Sequence, residues 1–473
     1  MDEQDKQFAR MTGTKIPGLI IAMAIPSVIS MLVTSLYNIV DTFFIALLRD
    51  DSITGALNVV FSLMAIIQAF GFTVGMGSGS IISRLLGKKE YKKANETATA
   101  ATLMAILCGV LITVFGLLFL EPLMTLLGGK GDTLEPAMIY GRYILLGAPL
   151  MTCSFTFNNF LRAQGKANFA MIGLCTGAIL NMALDPVLIF ACGMGVEGAA
   201  LSTLVSQTIS FFVLLLLIFS KKSLVHPKPK DLPRGAAIYG NILKTGFPSF
   251  VRQGLSSIAT ALLNNAAYLY GQESAITAVG VVQKVFMVVF CFALGIGQGY
   301  QPVLGYNYGA KRYDRVRKGF LFTLCLGTAI LTVMAVLCAV FARPIAALFV
   351  ENGQGVEIAV RTLRYQSYCM PFLMFNFIMG LTYQAIGNKW LATLLSSSRQ
   401  GLFYIPAVLI LPGILGLTGV ECVQAVSDLC AFLFAVPFLI LFLRRVRKMQ
   451  TEQEQALPET EAEAARDGAF KTG

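Results

Sequence analysis

The chain has 473 residues, 56% of them hydrophobic and only 13% charged, with a mean hydropathy of +0.69. Those fractions exclude an ordinary soluble domain and point to a membrane protein. A formal charge of +11 would suit a nucleic-acid partner, but the basic residues sit in short loops between apolar segments, so the charge reads as topology and no nucleic-acid binding is expected.

The chain opens with "MDEQDKQFARMTGTK", polar and without an apolar core or cleavage site, so no signal peptide is expected. Spans of about 20 residues then predict helices at 16–48, 53–82, 94–120, 137–161, 168–192, 196–219, 238–270, 274–301, 316–342, 358–384, 391–415 and 418–445. Pro26 and Pro248 interrupt the first and seventh and predict bends there. Alternate loops are rich in lysine and arginine, from Lys6–Lys15 through Arg84–Lys93, Lys221–Arg234 and Lys311–Lys318 to "RRVRK" at Arg444; the loops between are poor in them. The positive-inside rule then puts both termini in the cytoplasm of a cell (inner) membrane protein with an even number of spans. The stretch Arg343–Arg364 departs from that pattern, with Glu351 and Glu357 beside its arginines.

Landmarks recur at one offset. Pro26 and Pro248, Pro122 and Pro344, Pro149 and Pro371, Gly75 and Gly297, Gly77 and Gly299, and Gly165 and Gly387 are all 222 residues apart. "GKKEYKK" from Gly87 aligns likewise with "GAKRYDR" from Gly309. The chain is an internal duplication, and each half has an even number of spans, so the repeats are parallel and related by an axis along the membrane normal. The expected fold is an all-α polytopic membrane protein of twelve transmembrane helices in two pseudo-symmetric six-helix bundles around a central cavity. Its divisions are a cytoplasmic N-terminus (1–15), an N-lobe (16–219), a basic, proline-rich cytoplasmic linker (220–237), a C-lobe (238–445) and a disordered acidic tail (446–473).

Few acids lie within the apolar runs. Asp41, in "YNIVDTFFIALL", and Asp185, in "ILNMALDPVLIF", stand out, and an intramembrane carboxylate needs compensation. Tyr37 and Asp41, like Asn181 and Asp185, are spaced i, i+4 and share a helix face. Pro186 frees backbone carbonyls beside Asp185. Such an oxygen cluster suits either proton exchange or a hard monovalent cation; the alternative is a hydrogen-bonded aspartate that pins helices. Lys284 and Asp428 are further charges that either reach the cavity or serve structure, and Arg252 is expected to snorkel to a helix end. The ten cysteines are scattered without a CxxC pair, so neither disulfides nor zinc are indicated, and no enzyme motif is present.

With "YNIVDTFFIALL", "GMGSGSIISRLLGKKEYKKA", "NNFLRAQGKANFAM", "ILNMALDP" and "QGYQPVLGYNYGAKRYDRV", the chain resembles the multidrug and toxic compound extrusion (MATE) family from Ile16 to about Leu443. The resemblance implies alternating access and export of amphipathic, often cationic drugs, contributing to antibiotic resistance, in exchange for Na⁺ or H⁺ and without an enzymatic cofactor. It implies a first-lobe cation site of Asp41, Asn181, Asp185 and Thr203, with Tyr37 and Asn158 lining the substrate cavity beside Asp41 and Asn181. The acidic residue that some branches carry on the seventh helix is absent from "FPSFVRQGLSSIATALLNNAAYLYG". Membrane lipids and small-molecule drugs are the expected partners of a monomer. The competing expectations are a lipid-linked or polysaccharide precursor flippase of the same superfamily and, from another class, a non-transporting receptor or scaffold.

Overall fold

The structure, a computed structural model, describes residues 3–48, 50–350 and 353–470, without the side chains of Asp51, Glu454 and residues 456–470. A short α1 (Glu3–Gly13) precedes the N-lobe helices α2 (Ile16–Ala46), α3 (Asp51–Gly87), α4 (Tyr91–Leu118), α5 (Leu120–Leu126), α6 (Leu134–Ala163), α7 (Ala167–Pro186) and α8 (Gly195–Phe219). The C-lobe comprises α9 (Ala236–Gly309), α10 (Tyr313–Val340), α11 (Ala342–Ala347), α12 (Gly353–Ile386), α13 (Lys389–Ser397), α14 (Ile405–Leu415) and α15 (Leu417–Phe470). Eleven helices among the described residues are long and apolar enough to cross a membrane. In α9 the backbone of Gln272 leaves helical space (φ 54°, ψ −151°), which separates arms 236–271 and 273–309 and gives twelve spans.

Short α5 and α11 begin at positions 120 and 342, again 222 apart. The fifth span of each lobe is loosened by a π-helical segment: Val187–Ala191 follows α7, and Ser398–Tyr404 joins α13 to α14. After Pro186 the first of these begins where a backbone donor is missing.

The duplication predicted from spacing is visible as contact symmetry. A Cβ at Gly87 would overlap the carbonyl oxygen of Tyr306, and one at Gly309 would overlap that of Arg84, with 306 − 84 = 309 − 87 = 222. Gly77 abuts Gly246 in the same way that Gly299 abuts Ala24, with 246 − 24 = 299 − 77 = 222. The second helix of each lobe therefore leans on the first helix of the other. Lys89 and Lys311 both adopt positive φ (61° and 57°), as do Gly165 and Gly387 (79° and 88°), so equivalent turns take the same left-handed residue.

The lobes are joined at the end carrying the basic loops. Arg84 Nη1 donates to the Ala385 carbonyl at 2.7 Å, and Gln301 Nε2 donates to Ser80 Oγ at 3.1 Å and Gln384 Oε1 at 3.2 Å. Cys291, whose thiol donates to the Met31 carbonyl at 3.6 Å, makes the cross-lobe hydrogen bond farthest along α2 from that end among the described residues.

Three features add to the sequence-based expectation. The N-terminal segment forms α1, which touches both lobes: Gln7 Nε2 donates to the Gln164 carbonyl at 2.7 Å, while Asn307 Nδ2 donates to the Met11 carbonyl at 3.1 Å. The linker is strapped to the N-lobe by Gln164 Oε1, which accepts from the Leu224 amide at 2.6 Å, and by Asn95 Oδ1, which accepts from the His226 amide at 3.0 Å. The tail expected to be disordered from 446 continues α15 to Phe470, in keeping with the strong helix propensity of its Gln, Glu and Ala residues; 471–473 lie outside the described residues.

The exceptional stretch Arg343–Arg364 also finds its explanation. Arg343 pairs with Glu357, and Arg361 grips Glu421, a buried carboxylate, through Nη2 at 2.8 Å. Two of its positive charges are thus met by acids. Glu351 lies outside the described residues.

Candidate functional site

Asp41 sits five residues before the end of α2, about 8 Å along the axis at 1.5 Å per residue. It is shallower than the middle of the span, yet only 2% exposed. Asp185 and Asn181 close α7, Ser202 and Thr203 lie on α8, and Tyr140 projects from α6; all are buried. Four helices therefore deliver six polar side chains to one place.

The Tyr140 hydroxyl donates to Asp41 Oδ2 at 3.4 Å and exchanges a hydrogen bond with Thr203 Oγ1 at 3.2 Å. Asn181 Nδ2 faces Asp185 Oδ1 at 3.3 Å, Ser202 Oγ at 3.1 Å and Thr203 Oγ1 at 3.3 Å. Ser202 also donates to Asp185 Oδ1. Three buried acceptor oxygens are left without a hydrogen-bond donor: Asp41 Oδ1, Asn181 Oδ1 and Asp185 Oδ2. Among the described residues no lysine or arginine pairs with either acid.

A carboxylate buried without a cationic partner is costly unless it is protonated or meets a cation. Carboxylate, amide and hydroxyl oxygens form the donor set that a hard cation prefers. No group of three or more His, Cys, Asp or Glu side chains able to hold a metal occurs among the described residues. The cluster therefore presents buried oxygens that a proton or a hard cation would compensate.

Of the residues singled out in the sequence, Asp41, Asn181, Asp185 and Thr203 come together. Tyr37 is half-buried one turn before Asp41 on the same helix. Asn158 is buried, but its amide donates to the Ala170 carbonyl at 2.8 Å, pinning α6 to α7, and no hydrogen bond joins it to the cluster. Tyr140 and Ser202 escaped sequence reasoning, since one tyrosine and one serine within apolar runs carry no distinguishing pattern.

In the C-lobe, Asp428 forms a buried ion pair, accepting from Arg399 Nε at 2.6 Å. Lys284 is exposed on the second arm of α9 and has no ion-pair partner among the described residues. Arg252 does not snorkel: it lies sixteen residues into the first arm of α9, about 24 Å from Ala236. There it lines a small cavity with Phe290, Asn376, Phe377, Arg399 and Gln400.

The family model MatE matches the chain twice, over residues 26–187 and 248–410, with starts that are 222 residues apart. Multidrug export protein MepA of Staphylococcus haemolyticus is 28% identical over 450 residues, spanning 93% of this chain and 97% of that protein. MepA of Staphylococcus aureus (strain NCTC 8325 / PS 47) is 26% identical over 453 residues, spanning 94% and 97%. Among solved structures, the outward-facing conformation of a multidrug resistance MATE family transporter of the MOP superfamily superimposes with a TM-score of 0.88 at 26% identity, over 93% of this chain and 98% of that one. The chain is a multidrug efflux transporter of the MATE family, a multi-pass membrane protein built from two copies of one six-helix bundle.

Proposed function

We propose that the protein is a secondary active antiporter in which Na⁺ or H⁺, binding at Asp41, Asn181, Asp185 and Thr203, drives export of amphipathic drugs across the cell membrane, with both termini in the cytoplasm. The single observation that carries this reading is the pair of buried acids whose oxygens lack partners and which, among the described residues, have no lysine or arginine within ion-pair reach. A cation compensates them in a way that the rest of the lobe does not.

Coupling requires that the cation favour one access state over the other. Helix α2 supports such a link. It carries Asp41 near one end, while Ala24 and Val28, on either side of Pro26, pack against Gly299 and Gly295 of the other lobe. Neutralising Asp41 therefore acts on the same element that holds the lobes together.

Proteoliposomes loaded with a cationic rhodamine ester or with its zwitterionic free acid, under separate Na⁺ and pH gradients, test the reading. One gradient should drive at least one dye, and Asp41→Asn should abolish that movement at unchanged protein level. Neither dye moving under either gradient, with folded wild-type protein, would remove the antiport reading. Undiminished transport by Asp41→Asn would remove Asp41 from it.

A further inference from the structure

The N-lobe site is acidic, and the C-lobe carries a cavity of the opposite sign at positions that are not its sequence equivalents. Position 41 maps to Leu263 (41 + 222), so the acid is not repeated. Instead the C-lobe brings two guanidinium groups to one cavity. Arg252 comes from the first arm of α9, and Arg399 comes from the π-helical segment Ser398–Tyr404, a widened turn of the kind often found at functional sites.

Their partners are unequal. Arg399 is 8% exposed and is neutralised by Asp428 through Nε, but its Nη2 has no hydrogen-bond partner. Arg252 has no carboxylate within ion-pair reach among the described residues; it touches Met76 Sδ at 3.7 Å and lies 5.5 Å from the Phe377 ring centre. The Arg399 guanidinium lies 5.2 Å from the Phe286 ring centre, and Phe290 completes an aromatic wall. Gln400 Oε1 is also buried and unpartnered, and Asn376, held by Ser398 at 2.9 Å, brings a further amide.

From these contacts we infer that the C-lobe cavity binds the anionic end of an aromatic substrate, a carboxylate docked between Arg252 and the free Nη2 of Arg399, with its ring against Phe290 and Phe377. The charges sum in that direction: Arg399 and Asp428 cancel, and Arg252 remains. A guanidinium offers paired donors matched to a carboxylate and stacks on aromatic faces at the same time, whereas an organic cation would meet net repulsion here. The site is distinct from the acidic cluster of the N-lobe. It selects aromatic anions and zwitterions among the drugs that the proposed exporter carries, and it rests on that reading only for the transport step.

The test is equilibrium binding of tritiated 2-naphthoate and of its neutral counterpart 2-naphthamide to the full-length protein in nanodiscs, with empty nanodiscs subtracting lipid partitioning. Naphthoate should bind at least tenfold more tightly than naphthamide. Arg252→Gln should remove that preference, and Arg252→Lys should restore part of it. The joint change Arg399→Gln with Asp428→Asn, which leaves neither charge stranded, should weaken naphthoate alone. Equal binding of the two probes by the wild type, or a preference that survives Arg252→Gln, would overturn the assignment. If the preference holds while neither rhodamine moves under a gradient, the anion site stands and the export reading falls. Driven dye movement without the preference would remove the anion site alone.

Discussion

At Gly309 a single hydrogen atom decides how closely the lobes approach. A methyl group there would overlap the Arg84 carbonyl, whereas one at Gly240 meets nothing within 4 Å. Overpacking of this kind typically costs about 1–3 kcal/mol, enough to move a two-state equilibrium by roughly 5- to 150-fold. Gly309→Ala is therefore expected to push the basic-loop ends apart and to slow transport by at least about fivefold, with Gly240→Ala near wild type. Spin labels at positions 92 and 318, in a background without the ten native cysteines, should show a longer-distance population only in the first variant; identical distance distributions would refute the steric account. Individual residues were unequally legible. Asp41 and Asp185 stand out because a carboxylate within an apolar run violates the local pattern. Tyr140 and Ser202 violate nothing and become visible only when four helices meet. Arg252 was misjudged because its distance from the helix start shows only in the fold, where it lies sixteen residues into the first arm of α9.

Among the elements, α1 was missed for a physical reason: with a polar composition, its helical signals are the acids in its first turn, Arg10 in its last and Gly13 at its end. Its buried face, Gln7, Met11 and Thr12, is too short to register as periodicity. What fixes α1 is tertiary contact with both lobes. Lys166 Nζ reaches Glu3 at 3.1 Å on one lobe; burial draws that ammonium below its usual range, and Glu3 partly restores it. Arg315 Nη2 donates to the Thr14 carbonyl at 2.6 Å on the other lobe, and Phe8 packs against Tyr306. A helix held by both lobes favours the state in which they are close. Deleting residues 3–13 should accordingly increase the longer-distance population between labels at 92 and 318 by about tenfold, the equivalent of about 1.4 kcal/mol, roughly the worth of one hydrogen bond to a charged group. Lys166→Ala should give a smaller change in the same direction, and an unchanged distribution after the deletion would show that α1 merely rests on the closed lobes. The spans themselves were legible in place and order, since length and apolarity are imposed by the bilayer, while some ends run on, as α15 does to Phe470. The break at Gln272 was legible as well, because the charged loop around Glu273 interrupts the hydropathy.

Over the whole molecule, the duplicated bundle keeps its backbone but not its buried charges. Equivalent turns share φ and equivalent glycines share contacts at an offset of 222, yet among the described residues two buried acids without basic partners cluster in the N-lobe, and Arg252, without an acidic partner, lines a cavity in the C-lobe. The shared offset made the symmetry legible from sequence. The placement of the buried charges was not, because a buried ion pair such as Arg399 with Asp428 is a fact of three dimensions. If the acidic site takes the driving cation and the basic site takes the substrate's anionic end, the two ligands occupy different lobes and do not compete for the same atoms. Any effect of one on the other must then pass through the relative position of the lobes, and equilibrium linkage makes it reciprocal. The factor by which saturating Na⁺ or H⁺ changes 2-naphthoate affinity in nanodiscs should equal the factor by which saturating 2-naphthoate changes cation affinity, within the 5- to 150-fold range typical of allosteric coupling. Asp41→Asn should bring both factors to about one while leaving naphthoate bound. Simple competition would instead make naphthoate binding vanish as the cation saturates, without a plateau, and that result would place both ligands in one site.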